Sequence, residues 1–149
     1  ATDIYESKLK KLKIRTRRAG AHNITTKVLD SSKVIKKMKN SADRVLIDAP
    51  CSGIGVLKRN PDSKWKLQPE FVENIIKTQA EILENYSQLV KVGGKMVYAT
   101  CSILPSENEQ QVKAFLKINP NFSIIKDHKV SPFKTGYDGF YMALLERIS

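Results

Sequence analysis

Short apolar runs alternate with longer stretches of helical spacing along this chain, and few architectures besides a layered α/β fold on a mostly parallel sheet accept that order. Residues 2–5 read as the end of a strand and 6–19 as a helix, with Gly20 placed for a left-handed C-terminal cap. Residues 27–29 read as an edge strand ending at Asp30, and 44–47 as a short buried strand, Val-Leu-Ile, ending at Asp48. Between 70 and 90, Val72, Ile75, Ile76, Ile82, Leu83, Tyr86, Leu89 and Val90 recur at helical spacing, and Gly93-Gly94 is expected to stop that helix. Residues 95–100 form the next buried strand, ending at Cys101. Ser106 and Glu109 make a capping-box pattern just after Pro105, which predicts a helix over about 107–118. Strands are expected at 121–126 and 140–146, joined by a polar loop of about a dozen residues, long enough to be functional. No repeat or linker-like shift in composition divides the chain, so residues 1–149 are expected to form one domain.

Composition narrows the function. A hydrophobic content of 41% suffices for a core, while 28% charged residues leave no run of the ~18 apolar residues that a membrane span needs. No leader-like segment opens the sequence, so a cytoplasmic protein without membrane contact is expected. Cys51 and Cys101 are too few and too distant in sequence for a disulfide framework or a zinc site, and His22 and His128 lack metal-ligand spacing. Reduced thiols and no metal are therefore expected. The net charge of +11 is uneven: residues 1–47 hold 13 Lys and Arg against four acids, and residues 48–149 hold 13 against 11. Lys8, Lys10, Lys11, Lys13, Arg15, Arg17 and Arg18 crowd one segment, a density that suits a polyanion but also a solvated helix face.

Candidate chemistry gathers at two strand ends, where an open α/β sheet exposes ligand-binding loops. Asp48-Ala49-Pro50-Cys51-Ser52-Gly53 follows one buried strand and Thr100-Cys101-Ser102 follows the next. If those strands are neighbours, both thiols face one cleft. Either cysteine alone would read as a small core residue. Two in equivalent positions, one with an acid three residues earlier, point toward nucleophilic catalysis.

These residues carry a resemblance. The run from Asp43 to Gly53, Asp-Arg-Val-Leu-Ile-Asp-Ala-Pro-Cys-Ser-Gly, resembles the signature of the Sun/NSUN-type (RsmB-like) RNA cytosine-5 methyltransferases, with Ala42 a departure in packing just before it. The stretch from Gly55 to Trp65 is similar to that family's Arg-Arg-x-Pro-Asp-Ile-Lys-Trp loop, with Lys58 and Ser63 as departures. Tyr98-Ala99-Thr100-Cys101-Ser102, followed by Pro105, Glu107 and Asn108, resembles its second cysteine motif, and 136–143 its terminal strand. The resemblance implies a Rossmann-like methyltransferase sheet with an antiparallel C-terminal strand, S-adenosylmethionine as cofactor, and ribosomal or transfer RNA as partner. Nothing here corresponds to the family's glycine-rich cofactor loop, so the chain is expected to be incomplete at its N-terminal side, to be inactive as it stands, and to offer an exposed sheet edge for self-association.

The family's reaction explains the residue types. Cytosine C5 is a poor nucleophile until a thiolate adds to C6. By resemblance, Cys101 is that nucleophile, Cys51 assists product release, and Asp48 meets the cytosine's N3/N4 edge near the methyl donor. Pro50, with its fixed φ, would hold the turn from Asp48 to Cys51 rigid. Asp3 would hold the cofactor's ribose and Asp30 its adenine amine, with Lys8 beside Asp3, while Arg59 and Lys64 would meet RNA phosphates. Trp65 is expected to be a packing anchor, Tyr137 and Phe140 core or cleft wall, and both histidines ordinary surface residues. The alternative is a non-catalytic RNA-binding module that uses the basic N-terminal helix while the cysteines merely pack.

Overall fold

The computed structural model describes residues 1–29 and 32–149, which divide into two compact units, Ala1–Met38 and Lys39–Ser149. In the first, β1 (Thr2–Asp3) pairs in parallel with β2 (Lys27–Val28), with α1 (Glu6–Arg18) between them and α2 (Ser32–Lys37) after. The Lys27 and Leu29 amides donate to the Ala1 and Asp3 carbonyls at 3.0 Å. Leu9 and Leu29 are the buried apolar side chains of this unit. Arg15, Arg17 and Arg18 fall in the last turn of α1, where cations meet the negative end of the helix dipole, so part of the basic cluster also serves the helix. Asp30 lies outside the described residues.

The second unit is built on a four-stranded sheet in the order β3-β4-β6-β5. Its strands are β3 (Ala42–Asp48), β4 (Val90–Thr100), β5 (Phe122–Val130) and β6 (Phe140–Arg147), and its helices are α3 (Ser63–Lys66), α4 (Pro69–Ser87), α5 (Glu109–Ile118) and α6 (Pro132–Thr135). Single 3₁₀ turns occupy Ile54–Val56 and Pro105–Glu107. β3 and β4 are parallel, whereas β6 is antiparallel to both of its neighbours. Three strands thus share a direction and the C-terminal one opposes them. Because β6 lies inside the sheet, only one of its three pairings is parallel, and the sheet is mixed rather than mostly parallel. The segment 131–139 is too short for the crossover that parallel neighbours require, so β5 and β6 must pair antiparallel.

One face of this sheet, carrying Ile47, Met96, Tyr98, Tyr141, Ala143 and Leu145, packs with Leu83 of α4 and Val112 and Phe115 of α5 into the core. Phe115 and Phe122 meet edge-to-face at 5.3 Å. The strand expected to be buried throughout is not: β3 is an edge strand, and Leu46 on the opposite face is 72% exposed.

Several boundaries differ from the sequence reading. α4 ends at Ser87, before the glycine pair, and Gly93-Gly94 sits inside β4 at a register shift against Ala42 and Arg44, with Gly93 at φ 75°. The glycines mark a bulge instead of a helix stop. β5 runs to Val130, and α6 takes up four further residues of the expected loop. Ser106 falls in the 3₁₀ turn, and α5 starts at Glu109 without a side-chain cap.

Candidate active site

The parallel pairing of β3 with β4 sets Asp48 opposite Ala99, so the loops leaving both strands emerge side by side. The Ala49 amide extends the ladder by donating to the Ala99 carbonyl at 2.9 Å, and the Gly55 amide donates to the Cys101 carbonyl at 3.0 Å. A third loop joins them, because the Gly139 amide donates to the Gly55 carbonyl at 2.7 Å. This approach requires glycine. A Cβ on Gly55 would lie 2.3 Å from the Gly139 carbonyl oxygen and 2.7 Å from that of Cys101.

The convergence brings Cys51 Sγ to 3.2 Å from Cys101 Sγ, with both residues partly exposed. At that distance either sulfur can donate to the other, and once one of them is ionised the pair holds a single shared proton. Cys51 keeps it: the hydrogen bond it donates to Cys101, reinforced by burial, pushes its thiol well above the ordinary range. The same hydrogen bond lowers Cys101 to about 7, against the opposing effects of burial and of the Asp48 and Glu107 carboxylates. Cys101, the less buried sulfur, carries the charge at the smaller desolvation cost. A thiol pKa lowered in this way marks a reactive rather than a structural cysteine.

Asp48 is exposed at the end of β3, near enough for its charge to bear on Cys101. Asp3, at the end of β1, accepts from the Tyr5 amide at 2.8 Å and lies 3.6 Å from Lys8 Nζ. Arg59 is taken up by an ion pair, Nε to Asp138 Oδ2 at 2.7 Å, and Lys64 Nζ sits 4.7 Å above the Trp65 ring. Trp65 is not the expected packing anchor, since it is 76% exposed, and Tyr137 is equally exposed rather than part of a core or wall. Cavities of about 150 and 260 Å³ lie elsewhere in this unit and touch neither cysteine. Among the described residues no cluster of His, Cys, Asp and Glu is placed to hold a metal, and no helix is long and apolar enough to cross a membrane.

One group has no role in the sequence reading. Glu107, fully buried, accepts from the Ser52 amide at 2.7 Å, Ser52 Oγ at 2.6 Å, Gln79 Nε2 at 3.2 Å and Ser102 Oγ. Its signal in the sequence was Gln79, a polar residue in the apolar stripe of α4 between Ile76 and Leu83, which implies a buried polar partner.

The family model for the 16S rRNA methyltransferase RsmB/F matches residues 1–146. The chain belongs to this family. It is 39% identical over 148 residues to ribosomal RNA small subunit methyltransferase B of Proteus mirabilis, covering 99% of this chain and 35% of that protein. The crystal structure of PH0851 superposes with a TM-score of 0.87 at 31% identity, over 98% of this chain and 36% of that one. NSun6 from Pyrococcus horikoshii with SFG gives 0.84 at 23% identity, over 100% and 41%, a likeness of fold. The chain therefore spans about a third of the length of its RsmB relatives, and the stretch that the family model matches includes both cysteine loops.

Proposed function

We propose that this chain supplies the thiol pair of an RNA cytosine-5 methyltransferase that acts on small-subunit ribosomal RNA, the substrate class carried by the names of its relatives. The observation that carries the reading is the 3.2 Å approach of Cys51 and Cys101 at adjacent strand ends, with the pKa of Cys101 lowered to about 7. A thiolate near neutral pH is what addition to cytosine C6 requires.

In this reading Cys101 Sγ forms a bond to C6, and the ring's electron pair is displaced so that C5 becomes nucleophilic. S-adenosylmethionine, when bound, supplies an electrophilic methyl group. By resemblance, Asp3 and Asp30 would hold that donor. Asp3 keeps a partly exposed carboxylate with lone pairs beyond those used by Tyr5 and Lys8, enough for a ribose diol. Asp30 takes the adenine amine by resemblance. Asp48 accepts a hydrogen bond from the exocyclic amine of cytosine. Once Cys101 is bonded to carbon, it no longer accepts the hydrogen bond that keeps Cys51 protonated. The Cys51 thiol can then give its proton to water, and the resulting thiolate takes the C5 proton as the C6–S bond breaks, which returns Cys101 as thiolate. Arg59 and Lys64 meet phosphates beside the loops, Arg59 after exchanging Asp138 for the backbone.

The test uses a protein of the relatives' full length that carries these residues, with methyl transfer to ribosomal RNA as readout. Cys101→Ala should abolish transfer, and Cys51→Ala should accumulate a covalent protein–RNA species. Undiminished turnover by Cys101→Ala would end the proposal.

A further inference from the structure

The most heavily bonded group of this site is a carboxylate that touches neither sulfur. Glu107 sits on the 3₁₀ turn after β4, and each of its oxygens accepts two donors. Three of those four donors belong to Ser52 and Ser102, the residues that directly follow Cys51 and Cys101. The fourth, Gln79 of α4, also donates to the Pro50 carbonyl at 2.9 Å, one residue before Cys51. The turn is itself anchored: the Tyr98 hydroxyl donates to the Glu107 carbonyl at 2.8 Å, and Asn108 Nδ2 donates to the Ser102 carbonyl at 2.9 Å. Thr100 Oγ1 in turn donates to Asn108 Oδ1 at 2.5 Å.

A buried carboxylate is a costly way to join two loops, and well-packed apolar residues do the same at less expense. What it offers is direction. A fully satisfied bidentate acceptor fixes both loops in distance and in rotation.

We propose that Glu107 is the positioning residue of the thiol pair, tying the loop of Cys51 to the loop of Cys101 so that the sulfurs stay within hydrogen-bond reach. Its purpose rests on the methyl-transfer reading, but its test does not. The titratable groups that bear on the ionisation of Cys101 are Cys51, through its hydrogen bond, and the Asp48 and Glu107 carboxylates, through their charge. Glu107 therefore acts in two opposed ways. Its charge makes Cys101 harder to ionise, and its tether makes Cys101 easier to ionise by holding Cys51 as a donor.

Glu107→Gln and Glu107→Ala remove the charge equally, but only the first keeps a tether. The Gln carbonyl oxygen can accept from the Ser52 amide and Gln79, and its amide can donate to serine hydroxyls that have rotated. The experiment is the pH profile of iodoacetamide alkylation at Cys101, read by peptide mass spectrometry in this chain, with thermal melting to confirm the fold. The wild-type midpoint is expected at about 7 and that of Glu107→Gln at or just below it. Glu107→Ala is expected at least about one pH unit higher, toward the ordinary thiol value near 8.5. Equal midpoints for the two variants would overturn the proposal. Should Glu107→Ala not fold, Ser102→Ala removes one bond to the carboxylate and leaves the rest. A raised midpoint there supports the tether, and an unchanged one overturns it. Because the profile involves no RNA or methyl donor, unshifted profiles refute the tether alone, whereas shifted profiles in a protein that does not methylate refute the methyl-transfer reading alone.

Discussion

Gly55→Ala tests the convergence of the three loops. The added Cβ would lie 2.3 Å from the Gly139 oxygen and 2.7 Å from the Cys101 oxygen. Both are backbone atoms, so no flexible side chain can swing aside. Gly55 does not have positive φ, so the cost is one of space and not of conformation. Overpacking of this kind costs about 1–3 kcal/mol. Relief by separating the loops would strain two hydrogen bonds, Gly55 to Cys101 and Gly139 to Gly55, each worth roughly 0.5–1.5 kcal/mol. The two costs are alternatives in part, which sets the expected loss near 3 kcal/mol. For a chain of this size that lowers the melting temperature by about 6–12 °C. Urea unfolding followed by circular dichroism measures it, and the iodoacetamide profile of Cys101 should move upward in the same variant. A loss below about 0.5 kcal/mol with an unmoved thiol profile would show that the loops do not meet as described.

Cys51→Ala should raise the alkylation midpoint of Cys101 from about 7 toward about 8.5, because the lost donor is the main cause of the lowered value; at pH 7 the thiolate fraction would fall from about half to a few per cent, as an alkylation–pH series would record. Stability should climb as pH rises from about 7 toward 9, since Cys101 ionises in the folded state before it does so in the unfolded chain. It should fall above that, since the raised Cys51 resists ionisation that the unfolded chain allows; thermal melts across pH should lose the rising limb in Cys101→Ser. Leu83→Ala, which empties a site 1% exposed between α4 and the sheet, should cost about 2–5 kcal/mol in urea unfolding. Arg59→Ala breaks an ion pair whose arginine is mostly exposed and should cost about 1 kcal/mol of stability, while lowering the salt dependence of RNA binding by about one phosphate contact in a filter or anisotropy titration.

The neighbouring cysteine loops were legible in the sequence because each follows an apolar run that can only be a strand, and sequential strands in such folds tend to lie side by side. Their separation was not legible, since it depends on Glu107 and Gln79, whose side chains act across gaps of 28 and 55 residues. Periodicity also misplaced Gly93-Gly94, because a glycine pair after a helical run fits a helix stop as well as a strand bulge, and only pairing with β3 distinguishes them. The exposure of Leu46, Trp65 and Tyr137 is not legible in the sequence for a related reason: apolar composition predicts burial only where a neighbouring element covers the side chain.

In the proposed mechanism Cys101 is the sulfur that bonds to cytosine. RNA containing 5-fluorocytosine traps such an adduct, because fluorine at C5 replaces the proton that must leave. With a full-length protein bearing these residues, digestion and peptide mass spectrometry of the trapped complex should place the nucleotide on Cys101, and Cys101→Ala should yield no adduct. A nucleotide mapped to Cys51, or an adduct that persists in Cys101→Ala, would contradict the account.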